Sequence, residues 1–182
     1  MSSMSRYITN VVRELPPSGI RKFFDLVTQT EGVISLGVGE PDFVTPWHIR
    51  EACFYSLEKG YTMYTSNMGL LELREEIALY EQKKINVTYD PENEILVTVG
   101  VSEAVDLALR ALVGPGDEVL IPEPCYVSYT PGTTLTYGKP VPLMTYEADE
   151  YRLRPDILEQ AITPKSKVLI LPYPTNPTGG IM

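Results

Sequence analysis

The second half of the chain alternates between short apolar runs and segments of helical periodicity. The apolar runs are EILVTV from residue 94, VLIP from 119, KPVPLM from 139 and KVLILPYP from 167. The first of them is of the kind found in buried parallel strands. Between them, apolar residues recur at helical spacing after Gly100 and after Pro155. Strands that alternate with helices predict a mostly parallel sheet flanked by helices, so the expected fold class is α/β.

Helices in the first half are predicted from apolar residues three or four positions apart. Segments 19–27, 46–58 and 70–84 follow this period. In the third of them, Arg74 is expected to lie on the surface beside acidic neighbours. The face predicted to be buried there consists of Leu70, Leu73, Ile77 and Tyr80. In the helix that opens at Gly100, the face predicted to be buried consists of Ala104, Leu107, Ala108 and Ala111.

Composition is that of a globular protein and disfavours several functions. Apolar residues make up 43% of the 182 positions and charged residues 21%, both near globular averages. The formal net charge of -9 disfavours nucleic acid as a partner, because phosphate binding needs clustered Lys and Arg. No apolar run approaches the roughly 18 residues that span a bilayer, and no signal peptide is recognisable. A single histidine and two widely separated cysteines predict no structural metal and no disulfides, as in a cytoplasmic protein.

Loops 100–103, 122–128 and 172–180 are expected to meet at one edge of the sheet. Each follows an apolar run, and ligands of open α/β sheets bind beyond the carboxyl ends of the strands. The first loop offers unpaired helix N-terminal amides, which suit a phosphate, although Ser102 could simply cap the helix. Neither a dinucleotide-binding glycine motif nor a P-loop occurs in the chain.

The other two loops contain side chains that either bind a ligand or serve the structure. Tyr126 offers a flat face to an aromatic ligand or packs in the core. Asn176 lies between Pro174 and Pro177, so its amide either points in one fixed direction or belongs to an ordinary proline-rich turn.

Four segments, taken in order along the chain, match a known pattern. They are LGVGEPDFVTP (36–46), YTMYTSNMGLLELREEIA (61–78), ILVTVGVSEAVDLALRALVGPGDEVLIPEPCYVSY (95–129) and YPTNPTGG (173–180). Together they resemble the fold-type I, pyridoxal-phosphate-dependent aminotransferases of class I and II. The resemblance implies a PLP-transferase-like fold, in which 49–182 form the first part of the large cofactor-binding domain and 1–48 an N-terminal arm of the small domain.

The resemblance also implies cofactor contacts. Val101, Ser102 and Glu103 would donate backbone amides to the phosphate of pyridoxal 5′-phosphate. Tyr126 would stack on its pyridine ring, at a place where relatives often have Trp or Phe. Asn176 would hydrogen-bond the 3-oxygen of that ring.

Substrate and partner contacts follow from the same resemblance. Gly39 would let its backbone amide approach the substrate carboxylate, which Asn176 would also contact. Tyr64 would reach the cofactor phosphate of the partner subunit, which implies a homodimer with shared sites.

The family pattern further requires a lysine that forms a Schiff base with the cofactor, and this lysine follows the Asn-Pro-x-Gly motif. Every lysine here precedes Asn176: Lys22, Lys59, Lys83, Lys84, Lys139, Lys165 and Lys167. We therefore expect the chain to be an N-terminal fragment without a catalytic residue, inactive alone, poorly soluble or held in an unusual oligomer.

The function expected from the resemblance is amino-group transfer between an amino acid and a 2-oxo acid. Lyases and synthases of the same family share every motif quoted above. A non-catalytic aminotransferase-like module of a transcription regulator would need a basic DNA-binding domain ahead of residue 36, and the preceding residues are not basic enough. A generic phosphate-binding α/β domain is a further alternative. Aspartate, aromatic amino acids and alanine all remain open as substrates.

Overall fold

The computed structural model describes residues 6–17, 32, 34, 39 and 41–182. The chain divides into two compact units, one formed by Met1–Ser18 with Val99–Met182 and the other by Gly19–Thr98. The helix predicted over 19–27 lies outside the described residues. The division at residue 48 concerns the domains of a whole aminotransferase and stays a prediction.

Helices and strands alternate along the sheet-forming part of the chain, as the sequence predicts. In chain order the elements are α1 (Asn10–Glu14), α2 (Trp47–Glu58), α3 (Leu71–Ile85), α4 (Gly100–Leu112), β1 (Glu118–Glu123), α5 (Tyr129–Leu135), β2 (Lys139–Met144), a 3₁₀ turn (Glu147–Asp149), α6 (Pro155–Ala161) and β3 (Ser166–Leu169). No helix in the described part of the chain is long and apolar enough to cross a membrane.

The strands form a parallel sheet with the order β2-β1-β3. Glu118, the first residue of β1, lies opposite Lys139 of β2 and Ser166 of β3, so the three strands begin at one edge and end at the other. This arrangement confirms the predicted α/β fold with a parallel sheet. The strand predicted over 94–99 is wrong: in that segment the amide of Val97 donates to the carbonyl of Met68 (3.0 Å), and the residues do not join the sheet.

The core of the larger unit lies between α4 and the central strand. Leu109 of α4 and Val113, the residue that follows the helix, pack against Val119 and Ile121 of β1, and all four side chains are buried. The face of α4 predicted to be buried is exposed instead, at Ala104, Leu107, Ala108 and Ala111. The helix is apolar on two sides, so periodicity identifies an apolar helix without deciding which side meets the sheet.

The unit of residues 19–98 also departs from the pattern-based prediction. Leu70, Leu73 and Tyr80 are exposed, whereas the buried residue of α3 is Arg74. Its guanidinium donates to the backbone carbonyls of Gly69 (3.3 Å) and Glu92 (3.2 Å) and to that of Pro91. The expected surface position of Arg74 is therefore wrong. Carbonyl acceptors satisfy a buried guanidinium as acidic side chains would, and periodicity cannot anticipate them.

A buried carboxylate connects the strands at the edge where they begin. Glu118 accepts hydrogen bonds from the Thr163 hydroxyl (2.6 Å) and from the Lys139 ammonium (2.9 Å). Both interactions stabilise the charged form, and they lower the pKa of the Glu118 carboxyl. Polar anchoring at this edge leaves the opposite, carboxyl edge of the sheet available for a site.

Candidate functional site

A cavity of about 480 Å³ opens at the carboxyl edge of the sheet. Three chain segments surround it: the N-terminus of α4, the stretch from 126 to 135 that follows β1, and the loop that follows β3. The residues that line it are Val101, Ser102, Val105, Asp106, Tyr126, Ser128, Tyr129, Pro131, Gly132, Leu135 and Asn176. The structure thus brings Val101, Ser102, Tyr126 and Asn176 together around one cavity.

The N-terminus of α4 borders this space through Val101 and Ser102. Val99 is the N-cap, and Gly100 has a φ of 76°, a left-handed conformation that favours glycine. The alternative in which Ser102 caps the helix is wrong, because Ser102 lies inside the first turn. Amides in the first turn of a helix lack intrahelical acceptors, and together with the helix dipole they favour an anion.

Glu103 does not line the cavity, but its side chain shapes this turn. Its carboxylate accepts a hydrogen bond from the backbone amide of Val99, the residue just before the helix. The sequence indicated only the backbone amide of Glu103 as a functional group, and the contact with Val99 adds a second role.

An aromatic pair forms one wall of the cavity. The rings of Tyr126 and Tyr129 meet edge to face, with centroids 5.8 Å apart and planes at 75°. Tyr129 also packs against the core cluster, and burial raises the pKa of its phenol. The neighbouring Cys125 packs there too, and burial raises the pKa of its thiol, which disfavours a nucleophilic thiolate.

The loop that carries Asn176 is closed by its own backbone. The Thr175 amide donates to the Gly180 carbonyl (3.0 Å), and the Gly179 amide donates to the Thr175 carbonyl (2.7 Å). The Tyr173-Pro174 and Asn176-Pro177 peptide bonds are both cis. The Asn176 side-chain amide makes no hydrogen bond to any residue that the structure describes, so both its donor and its acceptor remain available to a ligand.

The described lining of the cavity contains no basic side chain, and its one acidic side chain is Asp106. Asp106 is paired with Arg110 at 2.7 Å, one helical turn further along α4. The described lining therefore offers an anion backbone amides and a helix dipole, without a cationic side chain.

The remaining candidates, Gly39 and Tyr64, belong to the other unit. Gly39 is exposed, and a Cβ placed on it would have open space around it. Tyr64 is fully exposed. Their roles toward substrate and partner stay predictions.

The sequence predicts only a short helix over 126–131, with tyrosines beside the cleft, whereas α5 extends to Leu135. Sequence reasoning therefore missed Gly132 and Leu135, which line the cavity together with Tyr129 and Pro131. Pro, Gly and several Thr give this segment weak intrinsic helix propensity, so its helical pattern is hard to recognise. The available signal was Tyr129, which follows Tyr126 by three residues.

Known proteins match most of the length of this chain. The family model described as aminotransferase class I and II matches residues 31–182. The aromatic-amino-acid aminotransferase 2 of Thermococcus litoralis is 48% identical over 91% of this chain and 43% of its own length. The aspartate aminotransferase of Pyrococcus abyssi is 49% identical over the same shares.

A solved structure shows the same fold. The aromatic aminotransferase from Pyrococcus horikoshii matches with a TM-score of 0.81 and 47% identity, over 89% of this chain and 43% of that one. The chain thus spans less than half the length of these relatives.

Proposed function

The chain belongs to the aminotransferase class I and II family. We propose that it forms part of an enzyme that moves an amino group between an amino acid and a 2-oxo acid, with pyridoxal 5′-phosphate as cofactor. The supporting observation is the convergence of Val101, Ser102, Tyr126 and Asn176 on one cavity of about 480 Å³. These residues come from three segments that are far apart in sequence and offer three different chemistries.

The chemistry of this lining fits the parts of the proposed cofactor. Helix N-terminal amides suit its phosphate, an aromatic face suits its planar ring, and an unengaged side-chain amide suits its phenolic oxygen. When bound, the cofactor supplies the electron sink for amino-group chemistry.

Each residue has a distinct task in this proposal. The amides of Val101 and Ser102 hold the phosphate and so fix one end of the cofactor. Tyr126 restricts the tilt of the ring, and Tyr129 supports Tyr126 from the edge. Asn176 donates to the phenolic oxygen and stabilises negative charge there.

The proposal keeps two roles that the family resemblance implies for residues of the other unit. In a homodimeric enzyme, Gly39 would offer its backbone amide to the substrate carboxylate, and Tyr64 would reach the cofactor phosphate of the partner subunit. No lysine lines the cavity in the described part of the chain, and we propose that the lysine that attaches the cofactor comes from residues outside this chain. The enzyme works in the cytoplasm, where its thiols, Cys53 and Cys125, both free in the structure, stay reduced.

The names of two relatives narrow the choice of substrates to test. One relative carries the name of an aromatic and another that of an aspartate aminotransferase, at nearly equal identity to this chain. The proposed substrate class is therefore an amino acid and a 2-oxo acid, with phenylalanine, tyrosine and aspartate as the donors to compare.

An amino-transfer assay tests the function. The whole protein is supplied with each donor, 2-oxoglutarate and cofactor, and keto-acid formation is followed for the wild type, Asn176→Ala and the control Asn93→Ala. We expect Asn176→Ala to lower kcat/KM about tenfold to a hundredfold, as for the loss of one hydrogen bond to a charged oxygen, and Asn93→Ala to leave it unchanged. No transfer from any donor by the wild-type protein would refute the proposal.

The proposed lysine arrangement has a separate test. The 182-residue chain is incubated with pyridoxal 5′-phosphate, reduced with borohydride, and analysed by intact mass and peptide mapping. Scattered, substoichiometric labelling is expected. One stoichiometric adduct on a single lysine would show that a competent lysine lies within this chain.

A further inference from the structure

The side chain of Glu103 has a role that its place in the sequence does not reveal. It lies in the first turn of α4, and its carboxylate reaches back to the amide of Val99, the N-cap residue. Gly100, between them, adopts the left-handed conformation that turns the chain into the helix. The carboxylate thus closes the turn that leads into Val101 and Ser102, which line the cavity.

The same carboxylate carries charge that the described residues do not neutralise. Asp106, the next acidic residue of the helix, is paired with Arg110. Glu103 forms no ion pair in the described structure, and its acceptor contact there is with a neutral amide. A carboxylate at this place interacts favourably with the helix dipole, as an incoming phosphate would.

We propose that Glu103 is a positioning residue with two opposed effects on the binding of a phosphate-bearing cofactor at α4. Its hydrogen bond to Val99 holds the turn in shape, which favours binding. Its negative charge offsets part of the positive potential at the helix N-terminus, which weakens the binding of a second anion. This inference rests on the proposed function, because it places the cofactor phosphate at the amides of Val101 and Ser102.

Two variants separate the two effects. Glu103→Gln keeps an oxygen that accepts the Val99 amide and removes the charge, whereas Glu103→Ala removes both. Glu159→Gln, at an exposed position of α6, changes the net charge by the same amount and serves as the control. Circular dichroism establishes that each variant is folded.

The measurement is the affinity of the cofactor-free protein for pyridoxamine 5′-phosphate, whose amine does not react with surface lysines. Pyridoxamine, which lacks the phosphate, is the matched ligand. At low salt we expect Glu103→Gln to bind pyridoxamine 5′-phosphate about two- to fivefold more tightly than the wild type, the usual range for one charge at a helix terminus. The gain should shrink in about 0.5 M salt because of screening, and it should be absent for pyridoxamine.

Glu103→Ala should bind pyridoxamine 5′-phosphate about two- to tenfold more weakly than Glu103→Gln, as for the loss of a helix cap. Equal affinities of Glu103→Gln and the wild type at low salt would overturn the charge effect, and equal affinities of the two variants would overturn the positioning effect. If neither the wild type nor any variant binds the ligand, the proposed function fails and this inference falls with it. If all of them bind it equally, the proposed function stands and the inference alone is overturned.

Discussion

Glu118 shows how a single buried carboxylate organises the edge of the sheet where the strands begin. It belongs to β1, yet its partners are Lys139 at the start of β2 and Thr163 just before β3. Each strand of the sheet therefore has a polar anchor at or near its first residue. The cavity lies at the opposite edge, so the anchoring and the candidate site are separate.

Because the pKa of Glu118 is lowered on folding, its contribution to stability depends on pH. The contribution is fully present above the ordinary value of 4.5 and is lost as the pH falls through the folded-state pKa. We expect Glu118→Gln to lower Tm by several degrees at pH 7, with a difference from the wild type that shrinks as the pH falls below about 4.5. Thermal unfolding followed by circular dichroism across pH 3–7 measures this. The exposed Glu159→Gln is the control, and a pH-independent difference for Glu118→Gln would contradict the linkage.

Gly69 is the second position where one residue decides local structure. Its φ is 93°, and a Cβ on it would lie 2.6 Å from the Cβ of Val97. Gly60, in the same unit, has a φ of 78° and open space around it. The two glycines therefore share a backbone conformation and differ in their surroundings.

We expect Gly60→Ala to cost about 1–2 kcal/mol, the strain of a left-handed residue that has a Cβ. Gly69→Ala should cost about 1–3 kcal/mol more, because the new methyl group also overpacks against Val97. Urea unfolding of both variants gives the comparison. Similar losses for the two would show that the contact between residues 69 and 97 relaxes without cost.

At the scale of elements, α4 connects the core to the candidate site. Its buried side packs Leu109 on β1, and this packing directs the N-terminus of the helix toward the carboxyl edge. The other side carries Leu107, which is 41% exposed, whereas Leu109 is 2% exposed. Because both sides are apolar, the exposed side is also suited to packing against a further element.

The two leucines allow a matched test of which side carries the core. Leu109→Ala should lower the free energy of unfolding by about 2–5 kcal/mol, as for a fully buried leucine. Leu107→Ala should change it by less than about 1 kcal/mol in the chain as described. Chemical denaturation measures both, and a larger loss for Leu107→Ala would reverse the assignment of the two sides.

At the scale of the whole molecule, α2 is the most conspicuous apolar surface. None of its described residues is buried, and Trp47, Phe54 and Leu57 are each more than half exposed. Exposed apolar patches of this kind mark interaction surfaces or sites of aggregation.

We therefore expect the isolated 182-residue chain to self-associate. Sedimentation velocity should show species heavier than the 20.4 kDa monomer, and replacing Phe54 and Leu57 by Ser should shift the distribution toward smaller species. A monodisperse monomer that melts cooperatively would contradict this expectation.

The sequence by itself determined the fold class and four of the residues that surround the cavity. The alternation of apolar runs with helical segments predicted a parallel sheet, because a helix between two strands brings the second strand back in the direction of the first. The places of Val101, Ser102, Tyr126 and Asn176 followed because the loops after parallel strands converge at one edge. These features depend on local pattern and chain order, which the sequence contains directly.

Tertiary structure alone decided which faces are buried and which polar groups find partners. Arg74 is buried because backbone carbonyls far along the chain accept its hydrogen bonds, and α4 packs through Leu109 because that side meets β1. Segment 94–99 has the pattern of a strand but does not join the sheet, since a strand needs a neighbour to complete its hydrogen bonds. The contact from Glu103 to Val99 likewise depends on the turn at Gly100. Each outcome depends on what lies next to a residue in space, and periodicity along one segment does not contain that information.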